Sequence, residues 1–253
     1  AMKRRSFVSS AAATAFGFQV VPSHVLFAQG DKPTPNNRIR LAVVGCGGQG
    51  GADLGNMAEE DIVALCDVDD RRAADSFAKF PKAKRFKDFR QMFDSISNEI
   101  DAVLVGTPDH THSVISLAAI GHGKHVYCEK PLAHTVAEVR AMRQAALEKK
   151  VITQVGNQGH SSDDIRRFVE MVQSGAIGKV TEIHAGCDAF RDVYCQTRLK
   201  GQIAAEKPPV PKELDWNLWQ GPAPHMEYND NTWDYNWHWY GWNWGTAETG
   251  NNA

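Results

Sequence analysis

Between Arg38 and Val155 short apolar runs alternate with stretches that repeat apolar residues every three or four positions. Arg38–Val44, Asp61–Cys66, Lys84–Phe86, Asp101–Gly106, Lys124–Cys128 and Val151–Val155 read as strands. Helices are expected at Gln49–Met57, Arg71–Lys79, Asp88–Ser95, Thr111–Gly121 and Thr135–Lys149, the last with Val136, Val139, Met142 and Ala146 on one face. Strands that are apolar throughout, rather than alternating, are buried on both faces. Strands and helices in strict alternation therefore predict an α/β fold, a doubly wound parallel sheet with helices on each side. After Val155 the pattern changes. Ser161 or Ser162 caps a helix bearing Ile165, Phe168, Val169 and Val172, and Gly175 stops it. Val180–Ala185 alternates as a half-buried strand would. From Lys207 onward periodicity is lost, and all seven Trp fall between Trp216 and Trp244.

The first predicted strand runs into Gly45-Cys-Gly47-Gly48-Gln49-Gly50, a Gly-x-Gly-x-x-Gly turn that opens a helix. The chemistry needs glycine at each place. Gly45 makes the turn, Gly47 lets backbone approach a pyrophosphate, and Gly50 lets helix and strand pack closely. The amides of the helix start then face the phosphates. The second strand ends in Asp67, 17 residues after Gly50, where a carboxylate can accept hydrogen bonds from the adenosine ribose. The pair predicts a nicotinamide dinucleotide site. NAD is expected over NADP, because Asp67 repels a 2′-phosphate, although Arg71 and Arg72 close by leave NADP possible.

Charge and composition narrow the partners. At 253 residues the chain can hold one large domain or two ordinary ones, and a net charge of −2 without a basic run past the N-terminus gives nothing for nucleic acid to grip. Residues 1–30 read as a targeting segment. Lys3-Arg4-Arg5-Ser6-Phe7-Val8 precedes a mildly apolar stretch too short to span a membrane. The arginine pair resembles a twin-arginine export signal, which carries folded proteins out of the cytoplasm and predicts a periplasmic or otherwise exported location. An amphipathic anchor or an unstructured arm is the alternative. The five cysteines make no metal spacing and no disulfide framework, although Cys187 and Cys195 could pair.

The motifs further along are more specific. Gly106-Thr-Pro-Asp-His-Thr-His112, Glu129-Lys-Pro131, Gly156-Asn-Gln158 and Trp216-Asn-Leu-Trp-Gln-Gly-Pro-Ala-Pro224 join the glycine turn and Asp67. With them the chain after Arg38 resembles the glucose–fructose oxidoreductase/inositol dehydrogenase (Gfo/Idh/MocA) family, and the tryptophan passage resembles its exported bacterial branch. The resemblance implies a Rossmann domain over residues 36–157. An α+β substrate and oligomerisation domain begins at 158 and is incomplete at 253. It also implies a homo-oligomer when full length. Family members follow the aromatic passage with a Gly-rich turn and then a His and an Asp. Here the sequence stops short of that His, and Asn251 stands where the family often has Asp.

The implied activity is oxidation of a secondary hydroxyl on a sugar, glycoside or cyclitol. Two alternatives share the motifs: glycoside hydrolysis by transient oxidation and elimination, and a scaffold that holds cofactor or sugar without catalysis. Oxidising a carbinol requires a group to take the hydroxyl proton, and the resemblance gives that role to Lys130. A solvent lysine at a helix start is the plainer alternative. Thr107 and Pro108 would touch the cofactor. His112 would approach the nicotinamide side, with His110 less defined, and either could instead hydrogen-bond backbone. Glu129 would bind ribose or order its loop, and Asn157 and Gln158 the nicotinamide ribose or amide. Gly48 and Gln49 complete the cofactor loop. Lys130, Asn251 and Trp244 are the candidate substrate residues. Most of the other tryptophans read as core or interface more readily than as a sugar platform, and His238 reads equally as structural or as substrate-binding. No metal is expected.

Overall fold

The computed structural model describes residues 38–185, 209–225 and 227–228, and from Ile39 onward these belong to one compact unit. Its centre is a six-stranded sheet. The strands are β1 (Arg40–Val44), β2 (Asp61–Cys66), β3 (Lys84–Phe86), β4 (Ala102–Val105), β5 (His125–Glu129) and β6 (Thr153–Gly156). Their order is β3-β2-β1-β4-β5-β6, with every described pair parallel. Chain order reverses between β1 and β4, and ligands of such sheets bind outside the strand ends at that switch.

Successive residues of the central strands feed two cores. Ala42, Val44, Cys66, Val103, Val105 and Cys128 point to one face, against Met92, Phe93, Ile115, Ile120 and Ala146. These come from α3 (Phe89–Ile96), α4 (His112–Gly121) and α5 (Val136–Lys149). Leu41, Val43, Leu65 and Leu104 point to the other, against Leu54 of α1 (Gly48–Asn56) and Phe77 of α2 (Ala74–Lys79). A strand with both faces covered has no polar side to show, which explains the unbroken apolar runs.

Local chemistry sets the helix ends. Asp88 accepts from the Arg90 amide and starts α3. Thr135 and Glu138 form a reciprocal capping box on α5. Lys150 closes α5 with φ of 55°, a left-handed residue. Ser162 caps α6 (Asp163–Gln173) through the Ile165 amide, and Gly175 follows with φ of 75°.

Four readings of the sequence need correction. The helix expected from Arg71 begins at Ala74, because Asp69 Oδ1 accepts from the Arg71 and Arg72 amides and holds those residues in a turn. Asp109–Thr111 is a 3-10 turn, and α4 starts one residue later, at His112. Val136 is 67% exposed, so only Met142 and Ala146 of the predicted α5 face are buried. Val180–Ala185 forms no strand, and Ile183 is 79% exposed. Alternation supplies a face but no partner, and no described strand pairs with this segment. The predicted face of α6 exists, yet Ile165, Phe168 and Val169 stay exposed among the described residues.

The last described stretch returns to the sheet. Leu214 bridges to Asp69, the Asp215 amide donates to Val68, and α7 (Trp216–Gln220) starts on an Asp215 cap. Trp216 stacks on Trp219 at 4.7 Å and meets Tyr228 edge-on, forming a small third core.

Candidate functional site

The carboxyl ends of β1, β2, β4 and β5 open on one cleft. Gly45, Gly47, Gly48, Gln49, Asp67, Thr107, Pro108, Glu129 and Lys130 all line it. Gly50 lies beneath its floor. A Cβ on Gly50 would run into the Gly45 carbonyl, and one on Gly106 would sit 2.5 Å from the Gly50 Cα. Gly45 has φ of +83°, and a Cβ there would stand 2.6 Å from the Gly106 carbonyl carbon and the Thr107 amide. Three glycines therefore let β1, α1 and β4 approach more closely than side chains permit.

The loop suits an anion. Gly47 is the N-cap of α1 and gives no side-chain cap, and the first turn carries no acid. The first amides of that helix are thus left for an outside acceptor. Around Gly48 a Cβ would meet nothing within 4 Å, so the space above the helix start is open. Asp67 accepts from the Cys46 amide at 2.7 Å and the Asp69 amide at 3.0 Å, one on each oxygen. Burial pushes its carboxyl above the ordinary range, while those amide bonds pull it back. Each oxygen keeps a lone pair for a ribose hydroxyl. These features fit a dinucleotide: amides for the pyrophosphate and a carboxylate beside them.

The opposite bank carries ionisable groups. Lys130 begins the turn after β5 and is joined to Pro131 by a cis peptide bond. Among the described residues its ammonium makes no hydrogen bond or ion pair, and it lines the cleft. Glu129, 4% exposed, accepts from the Gln158 side chain, which also donates to Asp53 Oδ1 at 3.0 Å. Gln49 donates to the same Asp53 oxygen at 2.9 Å. Burial first and the Asp53 charge second raise the Glu129 pKa.

Some expected residues are placed differently. His112 does not line the cleft. Its ring is 1% exposed, with Nδ1 2.6 Å from the Pro131 carbonyl and Nε2 2.7 Å from the Thr107 carbonyl. Burial lowers its pKa, and a neutral ring donates only one of these bonds. His112 therefore fastens the Lys130–Pro131 turn to the loop after β4 rather than facing a ligand. His110 is also buried, with Nε2 2.8 Å from the Trp219 carbonyl, and burial takes its pKa down to about 4. Gln158 reaches the site through Glu129 and Asp53, and Asn157 leads into the turn Gln158–Ser161. Asn251, Trp244, His238, Cys187 and Cys195 lie outside the described residues. Cys46, Cys66 and Cys128 are buried free thiols.

The sequence reading missed two lining residues of consequence. Asp109 is a buried carboxyl in the loop after β4. Trp219, with Leu218 and Gly221, reaches the cleft from far along the chain. Asp109 sits inside a motif already singled out, so His110 and His112 drew attention from it. Trp219 shows only its residue type in the sequence, because its place depends on contacts with Val68 and His110. Among the described residues no group of His, Cys, Asp or Glu could hold a metal ion, and no helix is long and apolar enough to cross a membrane.

Comparison with known proteins agrees with this geometry. Residues 39–157 match an oxidoreductase family described by its NAD-binding Rossmann fold. The chain is 35% identical to the inositol 2-dehydrogenase of Rubrobacter xylanophilus, across 56% of this chain and 42% of that protein. It is 30% identical to the levoglucosan dehydrogenase of Pseudarthrobacter phenanthrenivorans, across 52% and 32%. Among solved structures it superposes on scyllo-inositol dehydrogenase from Lactobacillus casei with bound NAD(H) and scyllo-inositol. The TM-score is 0.52 and the identity 25%, over 57% of this chain and 43% of that one. The chain thus spans less than half the length of these relatives, and the similarity lies in the NAD-binding Rossmann domain.

Proposed function

We propose, from the premise that this chain belongs through residues 39–157 to the Gfo/Idh/MocA oxidoreductase family, that its protein oxidises or reduces a secondary hydroxyl on a sugar, glycoside or cyclitol with NAD. One observation carries the reading. Lys130, a cation at the end of β5, shares a single cleft with the glycine loop and Asp67. A scaffold needs only the second of these features. The relatives named above are dehydrogenases, so glycoside hydrolysis by elimination is not the reading adopted.

When bound, NAD⁺ accepts a hydride from the carbinol carbon. The chain's own residues do the rest. The α1 amides and Gly47 hold the pyrophosphate, and Asp67 accepts from the adenosine ribose and disfavours a 2′-phosphate. Thr107 and Pro108 form the wall beside it, and Glu129 takes the second ribose with Gln158 behind it. Lys130 binds the substrate oxygen and manages its proton. Residues 158–253 belong to the substrate domain, and the protein is a homo-oligomer. Arg4 and Arg5 motivate export of the folded protein with its cofactor in place. Fractionation that leaves an uncleaved protein in the cytoplasm would remove that part alone.

The test is turnover by the protein that contains this chain in full, on a panel of sugars, glycosides and cyclitols, following NADH. Reduction of NAD by at least one polyol is expected. Aglycone release without net NADH would move the protein to the hydrolytic class. Cofactor binding with no turnover across the panel would leave the scaffold reading standing.

A further inference from the structure

Asp53 stands in the second turn of α1, buried beneath the glycine loop rather than lining the cleft. Its Oδ1 accepts from two side-chain amides, Gln49 at 2.9 Å and Gln158 at 3.0 Å. Its Oδ2 is buried and has no hydrogen-bond partner among the described residues. A buried carboxylate oxygen without a donor is costly.

A second carboxyl stands beside it. The Gln158 nitrogen that reaches Asp53 also donates to Glu129 Oε1. One amide group therefore holds two acids that come from different elements, α1 and β5. A glycine makes the room, since a Cβ on Gly156 of β6 would run into Glu129 Oε1. Asp53 is within hydrogen-bond reach of Glu129, and that contact adds to the rise in Glu129 proton affinity that burial and the Asp53 charge produce. Gln158 and the Lys130 amide pull it back. Two ionised carboxylates have no donor between them, so their contact is a bond only when one carries a proton.

No other acid competes for that proton. Asp53 is the one ionisable residue of α1, and β4 and β6, which flank β5, carry none. On β5 itself Tyr127 and Cys128 are both pushed up to about 12 and stay neutral. Lys130 follows Glu129 in the chain and donates its amide to Glu129 Oε2 at 3.3 Å.

We propose that Asp53 and Glu129 hold a single proton between their carboxyls, bracketed by the Gln158 amide, and that Asp53 is thereby a positioning residue that keeps Glu129 in its donating form. The negative charge of the pair then lies on Asp53, below the cleft. Glu129 meets the cleft as a neutral acid, which donates as well as accepts, whereas a carboxylate only accepts. The consequence for the cofactor rests on the functional reading, in which Glu129 takes the second ribose. The nicotinamide ring is a cation in NAD⁺ and neutral in NADH. An ionised Glu129 beside it favours the oxidised form, and a neutral one does not.

The test uses the protein that contains this chain in full, first without cofactor. Carbon-13 NMR of protein labelled at the glutamate carboxyl follows Glu129, whose resonance is identified by its loss in Glu129→Gln. In wild type Glu129 is expected to stay protonated past the ordinary glutamate range. Asp53→Asn keeps the shape and the bonds from Gln49 and Gln158 but removes the charge. It is expected to lower the Glu129 titration by about one pH unit, a tenfold loss of protonated acid at a given pH. Asp53→Ala is expected to lower it as well. An unchanged titration in Asp53→Asn would overturn the proposal. So would an ordinary titration in wild type, which needs no variant to fold. Affinities for NAD⁺ and NADH are then measured across the same pH range. NAD⁺ is expected to gain about threefold on NADH as pH rises through the Glu129 titration, and that step is expected to move to lower pH in Asp53→Asn. A titration that moves while the cofactor preference shows no step would take Glu129 away from the nicotinamide end, and the shared proton would stand without that part of the functional reading.

Discussion

The two banks of the cleft are made of different materials. The bank of β1 and β2 binds with backbone: glycines without side chains, helix amides, and one carboxylate already held by two amides. The bank of β4 and β5 gathers Asp109, His110, His112, Glu129 and Lys130, all but the lysine buried. Backbone has one geometry and no charge state, so the glycine loop and helix amides of the first bank can be rigid and independent of pH, with Asp67 its one titrating group. Buried ionisable groups have shifted affinities for protons, so the second bank can do chemistry and is sensitive to each neighbour. In the proposed function, binding and proton handling thereby fall to different sides of one cleft.

That separation can be broken from either side. The largest effect is expected from Lys130→Ala in the full protein. A fall of about 10²–10⁴ in kcat is the range for a lost proton carrier, with NAD affinity within about threefold. Matching losses in both would mean that the banks are not separate. Gly45→Ala should act in the opposite sense. Its Cβ strikes the backbone of Gly106 and Thr107 at 2.6 Å from a left-handed φ, and an NAD affinity lower by about 10²-fold, or misfolding, is expected on titration.

Trp219→Ala should be milder. It removes a wall of the cleft and the stack on Trp216, and we expect NAD to dissociate about tenfold faster in a competition chase. The proton-handling bank also gives a pH signature. Asp109 has a folded pKa of about 7 against 3.8 for the ordinary group, so its contribution makes stability fall as pH rises through that window. His110, lowered to about 4, works oppositely, and stability rises from there to its ordinary 6.5. Asp109→Asn removes only the first, so the melting temperature of that variant should climb more steeply between pH 4 and 6.5 than that of wild type. Parallel curves would show that Asp109 titrates as in the unfolded chain. The smallest effect is expected from Thr135→Ala, which unmakes the capping box of α5 and costs about 1 kcal/mol in a denaturant titration.

Legibility in the sequence followed the range of the interaction. β2 begins and ends where its apolar run does, since a strand buried in the sheet declares itself residue by residue. Asp88, Thr135 and Ser162 mark helix starts because a cap is a contact over two or three residues. Gly45, Gly50 and Asp67 were readable for the same reason, being parts of one strand–turn–helix–strand unit. His112 stood open between the nicotinamide side and a backbone bond, because its partners, Thr107 and Pro131, belong to different loops that meet only when β4 and β5 pair. Trp219 and His110 stand 109 residues apart in sequence, and no local pattern announces such a contact. Asp109 was hidden in another way. Its residue type was visible, but its burial, which gives it its chemistry, was not.

The cross-tie from Leu214 to Gly221 has a consequence in time. It grips Val68 and Asp69 after β2 and His110 and Thr111 after β4, so one short segment spans both loops of the switch point. During synthesis the six strands are complete by Gly156. A nascent chain therefore presents the glycine loop and Asp67 to solvent before Trp219 has been made. Nucleotide can enter that open crevice first, and the tryptophan helix then arrives to brace a site already formed.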